Sequence, residues 1–543
     1  MRKHKYIFVI GGVMSGVGKG VTTASIAMLL QAKGFKVNPI KVDPYLNVDA
    51  GTMNPTEHGE VFVLNSGLEC DQDMGNYERF LNLNLGNDDY ITSGMVYRHV
   101  IDKERALGYK GKCVEALPHI PNEILRRIDR AVETSGSDVS VIEVGGTVGD
   151  YQNIMFLEAA RRLWLTHRND VIFILVSYLP VPGTIGEMKT KPTQNAVRLL
   201  NSYGIQQDFI IARGPVPLDE KRKEKLAIWC NTEAERVISA PDIESIYDVP
   251  LNFEKDNLSQ LILKKLHLKS KKTDLKEWRA LVEKIKHPKG KVKIGIVGKY
   301  FSTVDFVLSD SYLSVIEAIK HAAWALKRKP EITWLNAEKY EKSPQVISEL
   351  KNYDGIIVPG GFGARGVEGK IKVINFARKN KIPFLGLCYG LQLAVIEFAR
   401  NMCNLKNAHT TEVNNKTPHP IICTLPEQMQ RINQQKDLGG TMRLGSYVCS
   451  LDPQSKSYEL YKSKLITERH RHRYELNNEY RDVLEKKGLL FAGINTDRDL
   501  VEIIELPSHP FFVATQFHPE LKSRPLDPHT LFLGLIKAAI SRK

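Results

Sequence analysis

No apolar run in this 543-residue chain approaches the ~18 to 20 residues that cross a bilayer, which removes a helical membrane span from the expectations. The N-terminus, MRKHKYIFVIGG, has a basic start and a short apolar run. No small-residue cleavage site follows and the run leads into glycines, so it reads as a first strand rather than a signal peptide. Cysteine is scarce: there are seven, an odd number with no Cys-x-x-Cys pair. That excludes a disulfide framework and a thiolate zinc site, and it places the expected setting in a reducing cytoplasm. Internal repeats and low-complexity segments are absent. Acidic residues are outnumbered, 62 against 76 Lys and Arg, for a formal charge of +14. No basic repeat, recognition-helix pattern or aromatic RNA signature accompanies the excess. Small polyanionic ligands account for it at least as well, and neither nucleic acid nor membrane is expected as a partner.

What is present is ample apolar material, 42% of residues, in a length that suggests two to four domains. Short β-rich runs at Tyr6–Ile10, Val37–Val42, Val139–Val144, Val171–Val176 and Phe209–Ala212 alternate with helical patterns, one of them at Thr22–Gln31. A second alternation starts at Lys293–Gly298 and continues through Gly355–Val358, Pro383–Leu387 and Phe511–Phe517. Strand and helix in alternation predict α/β folds with parallel sheets covered on both faces. Between the two halves the chain turns Lys-rich and poorly apolar, as a linker does. The expected division is 1–266, a linker at 267–291, and 292–543. The polar stretch from about Asn401 to Lys436 has the least defined boundaries.

Chemistry concentrates in a few places. Gly386-Leu387-Cys388-Tyr389-Gly390 follows a strand-like run and has the small flanking residues of a nucleophile elbow, here with a thiol. His518-Pro519-Glu520 lies 130 residues on, and alternation puts the imidazole and the carboxylate on one face of an extended segment. The carboxylate can orient the imidazole, which deprotonates the thiol. The plain alternative is a buried structural cysteine and an ordinary turn. Near the N-terminus, Gly11 to Gly20 with Lys19 is a glycine loop between a strand and a helix, suited to cradle phosphates. The alternative is an ordinary tight turn. The hydroxyl residue that usually follows the lysine is Gly20, so carboxylates must hold any metal; Asp71 and Glu143 are the candidates. Lys189 and Lys191, followed by hydroxyl and amide groups, suit a triphosphate, with Lys41 and Lys225 able to add charge; alone, such a pair is usually a solvated surface. A lone His119 is more often structural than catalytic.

GGVMSGVGKG, KVDPYLNVDAGTMNPTEHGEVFV, EVGGTVGD, KTKPTQ, PGGFGARGVEG, GLCYG, DLGGTMRLG, RHRHRYE and QFHPE occur in the order and at about the separations found in the CTP synthase family. The chain resembles that family over nearly its whole length, and its second half is similar to the wider class I glutamine amidotransferase family. The resemblance implies a P-loop NTPase-like synthetase domain joined to a glutaminase domain. It implies ATP-dependent amination of UTP to CTP through a 4-phosphorylated UTP. L-glutamine supplies ammonia that travels internally, GTP activates, CTP inhibits, Mg²⁺ serves as cofactor, and the assembly is a homotetramer. By similarity Cys388, His518 and Glu520 are catalytic, and the N–H groups of Gly361 and Tyr389 form an oxyanion hole. Gln392, Glu412 and Arg473 recognise glutamine, together with Gly361. Ser15, Gly16, Val17, Gly18, Lys19, Gly20 and Asp71 match ATP-site positions, and Asp71 and Glu143 hold Mg²⁺. Ser15, Lys41, Asp150, Tyr151, Gln152, Lys189, Thr190, Lys191, Gln194 and Lys225 match positions for UTP or CTP.

The chain departs from the family at Gln152, where a carboxylate is usual and a contact to the ribose of CTP is expected. The segment Leu179 to Ile185 and Tyr389 beside the nucleophile are also less usual. Arg443 is a candidate for GTP. Other classes of protein fit the sequence less well. A partition-type ATPase switch carries an extra lysine five positions before the main one, where this chain has Met14. Another amidotransferase-ligase, acting on a cofactor precursor, would not combine KTKPTQ with EVGGTVGD. A purely structural, filament-forming role would leave the catalytic positions free to drift, and here all are filled.

Overall fold

The apolar runs of the first half become strands because β-branched residues fill both faces of each. A computed structural model describes residues 4–183, 186–298, 309–424 and 442–542. In it β1 (Lys5–Gly12), β2 (Val37–Asp43), β3 (Tyr90–Thr92), β4 (Val139–Val144), β5 (Val171–Tyr178), β6 (Phe209–Gly214) and β7 (Val237–Pro241) form one sheet in the order β3-β2-β4-β1-β5-β6-β7. Every pairing is parallel. All residues of β1 and β2 are buried, as a sheet covered on both faces requires. Helix α1 (Lys19–Ala32) follows β1, and α2 (Lys191–Ser202) follows β5. The sequence pattern missed β3 and β7, the two edge strands.

The division of the chain differs from the expected one. One compact unit joins residues up to Ala50 with Asp73–Val282, and the other joins Gly51–Gln72 with the chain from Glu283 onward. The stretch expected as a linker contains α3 (Lys276–Lys286), whose Trp278, Leu281 and Val282 are buried. Trp278 Nε1 donates to Tyr247 O at 2.8 Å, and its ring lies 5.2 Å from that of Phe80. Three apolar residues at helical spacing in a lysine-rich context anchor the helix to the first unit.

In the second unit β8 (Lys291–Gly298), β9 (Lys329–Asn336), β10 (Gly355–Val358), β11 (Phe384–Leu387), β12 (Arg443–Leu451), β13 (Leu465–His472), β14 (Leu490–Asn495), β15 (Leu500–Glu505) and β16 (Phe512–Thr515) form a sheet in the order β9-β8-β10-β11-β16-β15-β14-β12-β13. The first five are parallel and the remaining pairings antiparallel. The parallel part carries the expected runs at β8, β10, β11 and β16. Residues Gly51–Gln72 join this unit through a hairpin of Phe62–Val63 and Glu69–Cys70. Asn65 O accepts from Ser446 N at 2.9 Å and Glu69 from Arg471 Nε at 2.7 Å. Thr184 and Ile185, residues 437–441 of DLGGTMRLG and the end of the polar stretch from residue 425 lie outside the described residues. Among the described residues no helix is long and apolar enough to cross a membrane.

Candidate functional site

The chain leaves β11 at Leu387, turns at Cys388 with φ 50° and ψ −98°, and enters α4 (Tyr389–Met402). A non-glycine residue held at positive φ is a strained position that the surroundings must impose. Here the cysteine N–H donates to Thr515 O on β16 at 2.6 Å. A side chain on Gly390 would overlap Val358 O, and one on Gly386 would come within 2.8 Å of Ala514 Cβ. The glycines of the elbow are therefore demanded by packing. Parallel pairing of Leu387 with Thr515 brings the cysteine to the edge where β16 runs into His518. His518 Nδ1 bonds Glu520 Oε1 at 2.7 Å. Burial opposes charge on this imidazole, but the charges of Glu520 and Cys388 prevail and hold its pKa well above the ordinary value. Nε2 is buried without a hydrogen-bond partner, the ring nitrogen left to exchange a proton with the thiol.

A cavity of about 640 Å³ opens over the thiol, lined by Gly361, Cys388, Gln392, Glu412, Arg473 and His518. The structure thus gathers every residue expected to handle glutamine. Tyr389 begins α4, so its N–H is one of the helix's first-turn amides without an intrahelical acceptor. Gln392 Nε2 donates to Tyr474 O at 2.9 Å, while its Oε1 is buried and unpartnered. Glu412 Oε1 accepts from Gly363 N at 2.6 Å.

At the carboxyl edge of the first unit's sheet, the glycine loop turns with φ 74° at Gly16 and 86° at Gly18, and Ser15 is exposed. Lys19 Nζ donates to Gly146 O at 2.8 Å; burial lowers its pKa against the raising pull of Glu143. Lys41 Nζ lies 2.6 Å from Asp73 Oδ2, 2.8 Å from Glu143 Oε1 and 3.7 Å from Asp43 Oδ1. Glu143 also accepts from the Tyr77 hydroxyl. Burial pushes the Glu143 pKa up against the pull of Lys41, whereas at Asp73 the lysine's charge and hydrogen bond overcome burial and pull the pKa down. Lys189 is half-buried and donates to Glu187 Oε2 at 2.7 Å; that bond and the lysine's charge lower the Glu187 pKa, with Arg222 and then Lys225 adding to the pull. Lys225 is exposed on the helix Glu220–Trp229. Gln194 is buried and donates to Thr190 Oγ1 at 3.1 Å. Lys191 opens α2, which packs against the end of β1: a Cβ on Gly12 would lie 3.0 Å from Ala196 Cβ. Asp150 accepts from Thr147 N at 2.6 Å; Tyr151 and Gln152 are exposed.

Two expectations change and one stands. Asp73, which the sequence reading did not select, lies in the same compact unit as Glu143 and shares Lys41 with it; Asp71 is assigned to the other unit, 3.6 Å from His58. The reason is steric as well as electrostatic: any side chain on Gly20 would overlap the Asp73 carboxylate, so the residue that lacks the usual hydroxyl makes room for an acid. The sequence held a signal for this in Gly20 together with the second acid of Glu69-Cys70-Asp71-Gln72-Asp73. Arg443, expected near GTP, is 2% exposed. It is enclosed by Glu475 at 3.1 Å and Glu502 at 2.7 Å, with the Tyr447 ring 4.3 Å from its guanidinium carbon. His119 stands edge-on to Tyr109 and bonds its own backbone at Glu115, a structural histidine.

An elbow cysteine beside a carboxylate-oriented histidine, on a mixed sheet whose core is parallel, defines a class I glutamine amidotransferase module; a P-loop sheet precedes it in the chain. Residues 5–268 match the model described as CTP synthase N-terminus, and 307–538 the model for class I glutamine amidotransferase. CTP synthase of Caldanaerobacter subterraneus subsp. tengcongensis is 51% identical over 541 residues, covering 99% of both chains. That of Pyrococcus abyssi is 51% identical over 537 residues, covering 98% of both. Among solved structures, the glutaminase domain of Trypanosoma brucei CTPS with bound acivicin is 35% identical, covers 46% of this chain and 94% of its own, and has a TM-score of 0.43. The chain belongs to the CTP synthase family, a family of glutamine-hydrolysing ligases. Its reaction is the ATP-dependent amination of UTP to CTP.

Proposed function

We propose that the two sites divide the reaction as follows. Cys388 attacks the glutamine carboxamide, His518 takes the thiol proton and gives it to the leaving ammonia, and Glu520 orients the imidazole. The N–H groups of Gly361 and Tyr389 receive the developing oxyanion. Gln392, Glu412 and Arg473 select glutamine. In the first unit the glycine loop and Lys19 hold ATP phosphates. Lys189, Thr190, Lys191, Gln194 and Lys225 receive the UTP triphosphate, with Lys41 beside the reacting phosphates. The carboxylates of Asp73 and Glu143 already converge on a cation, the Lys41 ammonium, and Asp43 Oδ2 nearby is buried without a hydrogen-bond partner. An all-oxygen donor set suits a hard divalent ion, so Asp73 and Glu143 would hold Mg²⁺, which when bound offsets phosphate charge. The observation that carries this reading is the single cavity shared by thiol, oriented imidazole and glutamine-selecting groups. CTP formation from UTP and ATP, followed by absorbance with glutamine or ammonium as donor, tests it. No product with either donor would end it.

The proposal extends to regulation and setting: GTP activates, CTP inhibits, and the protein works as a homotetramer in the cytoplasm. Gln152 sets the strength of the inhibition. It is exposed next to the turn that follows β4, so its replacement disturbs no packing. A carboxylate there would accept ribose hydroxyls with charge assistance, a gain of about 1 kcal/mol, or several-fold in affinity. Gln152→Glu should therefore lower the CTP concentration for half inhibition at fixed UTP. An unchanged or raised value would remove this residue from the inhibitor site.

A further inference from the structure

Two buried side chains near the thiol have no part yet in the chemistry. A Cβ built on Gly361 would lie 3.7 Å from Lys370 Nζ and 3.9 Å from Tyr389 Cδ1. Lys370 is 1% exposed and Tyr389 2%. The lysine nitrogen sits 5.4 Å from the centre of the Tyr389 ring, where a ring's quadrupole favours a cation. The tyrosine hydroxyl donates to Gly363 O at 3.0 Å, and the Gly363 N–H is held by Glu412. Gly363 turns at φ 77°. On the other side of the same loop, a Cβ on Gly360 would meet His518 Cε1 at 2.9 Å. The backbone from Gly360 to Gly363 is thus fixed between the catalytic imidazole above and a lysine–tyrosine pair beneath. Lysine is an unfavourable residue to bury, because its charge must leave water.

We propose that Lys370 and Tyr389 are positioning residues for glutamine hydrolysis, the tyrosine hydroxyl fixing the Gly361–Gly363 backbone and the lysine placing positive charge behind the Gly361 peptide. As the Cys388 sulfur bonds to the carboxamide carbon, the carbonyl π electrons move to oxygen. The fixed Gly361 N–H and the charge behind it stabilise that oxygen more than they stabilise the neutral substrate. The inference rests on Cys388 being the nucleophile.

The test uses the full chain with Lys370→Met and Tyr389→Phe. Each variant should lower kcat for glutamine hydrolysis by about tenfold or more, the scale of a weakened oxyanion donor, with KM changed by less than about twofold. Affinity for glutamate γ-semialdehyde, which forms a tetrahedral adduct with the cysteine, should fall by a similar factor. The double variant should lose less than the product of the two single losses. Unchanged kcat, a loss confined to KM, or an undiminished affinity for the aldehyde would overturn the proposal. Should Lys370→Met also lose ammonium-dependent CTP synthesis, the fold has suffered, and Tyr389→Phe, smaller by one oxygen atom, decides alone. Glutamine hydrolysis surviving in Cys388→Ala would instead defeat the nucleophile assignment, whatever these variants do.

Discussion

Replacing Cys388 by alanine should abolish CTP synthesis from glutamine and leave synthesis from ammonium nearly intact. In the proposed reaction the thiol forms and breaks one bond, to the carboxamide carbon, and supplying ammonia directly bypasses that step. Loss of a covalent nucleophile commonly costs on the order of 10⁴ to 10⁶ in rate, so the glutamine-dependent rate should fall to background. The fold should tolerate the change. The φ of 50° at this position is imposed by the bond from its N–H to Thr515 O and by the glycines around it, and alanine keeps the N–H and adds no bulk. Parallel rates with 10 mM-scale glutamine and ammonium, read as uracil converts to cytosine, make the comparison; the scale is about that of a generous excess over a typical KM. Equal loss with both donors would mean that Cys388 is structural or that one site performs both steps.

How much of this was legible in the sequence depends on what carries each element. Central parallel strands were readable because both their faces are apolar: Tyr6–Ile10 and Val139–Val144 are continuous buried runs. The edges β3 and β7 were not, since a three-residue strand and one that ends on Pro241 leave too little period. The antiparallel wing failed for a different reason. β13, Leu465-Ile-Thr-Glu-Arg-His-Arg-His472, reads as a polar surface, yet Glu468, Arg469, His470 and His472 are all buried. Their polar groups are met inside the fold: the His470 ring by Glu502 at 2.7 Å, the Arg469 guanidinium by the Asn65 side-chain oxygen at 2.6 Å. Pattern reading assigns charge to solvent, and a buried ionic network defeats it. Glu475 illustrates the cost, its pKa raised to about 8 by burial against the pull of Arg443. The triad and glycine loop were legible because their backbone demands, small residues at an elbow and at positive φ, are written in residue type. The Asp73 assignment was not, because choosing between two acids two residues apart needs the path of the chain.

That choice sets the second large effect. Asp73→Asn and Glu143→Gln should each suppress CTP formation by about 100-fold or more with either nitrogen donor, the scale expected when charge is removed from a site that organises phosphoryl transfer. Asp71→Asn should cost far less on this assignment, since Asp73 is the acid that shares Lys41 with Glu143 within one compact unit. Both of the first two substitutions keep side-chain size and a hydrogen-bond acceptor, so Lys41 retains an oxygen at each position and gross misfolding is not expected. Glu143 is the more exacting case: it is 1% exposed and already accepts from Tyr77 and Lys41, and an amide there would keep an oxygen for one of these donors and turn its N–H₂ toward the other. Glutaminase activity of the same variants therefore serves as the control for the fold, because its residues belong to the other compact unit. Raising the Mg²⁺ concentration should recover part of the Asp73→Asn activity if the lost charge weakens metal binding, and should leave Asp71→Asn unaffected. If Asp71→Asn were the inactive variant and Asp73→Asn worked normally at low Mg²⁺, the carboxylate placement would be wrong, and the space that Gly20 leaves for Asp73 would have to be explained by packing alone.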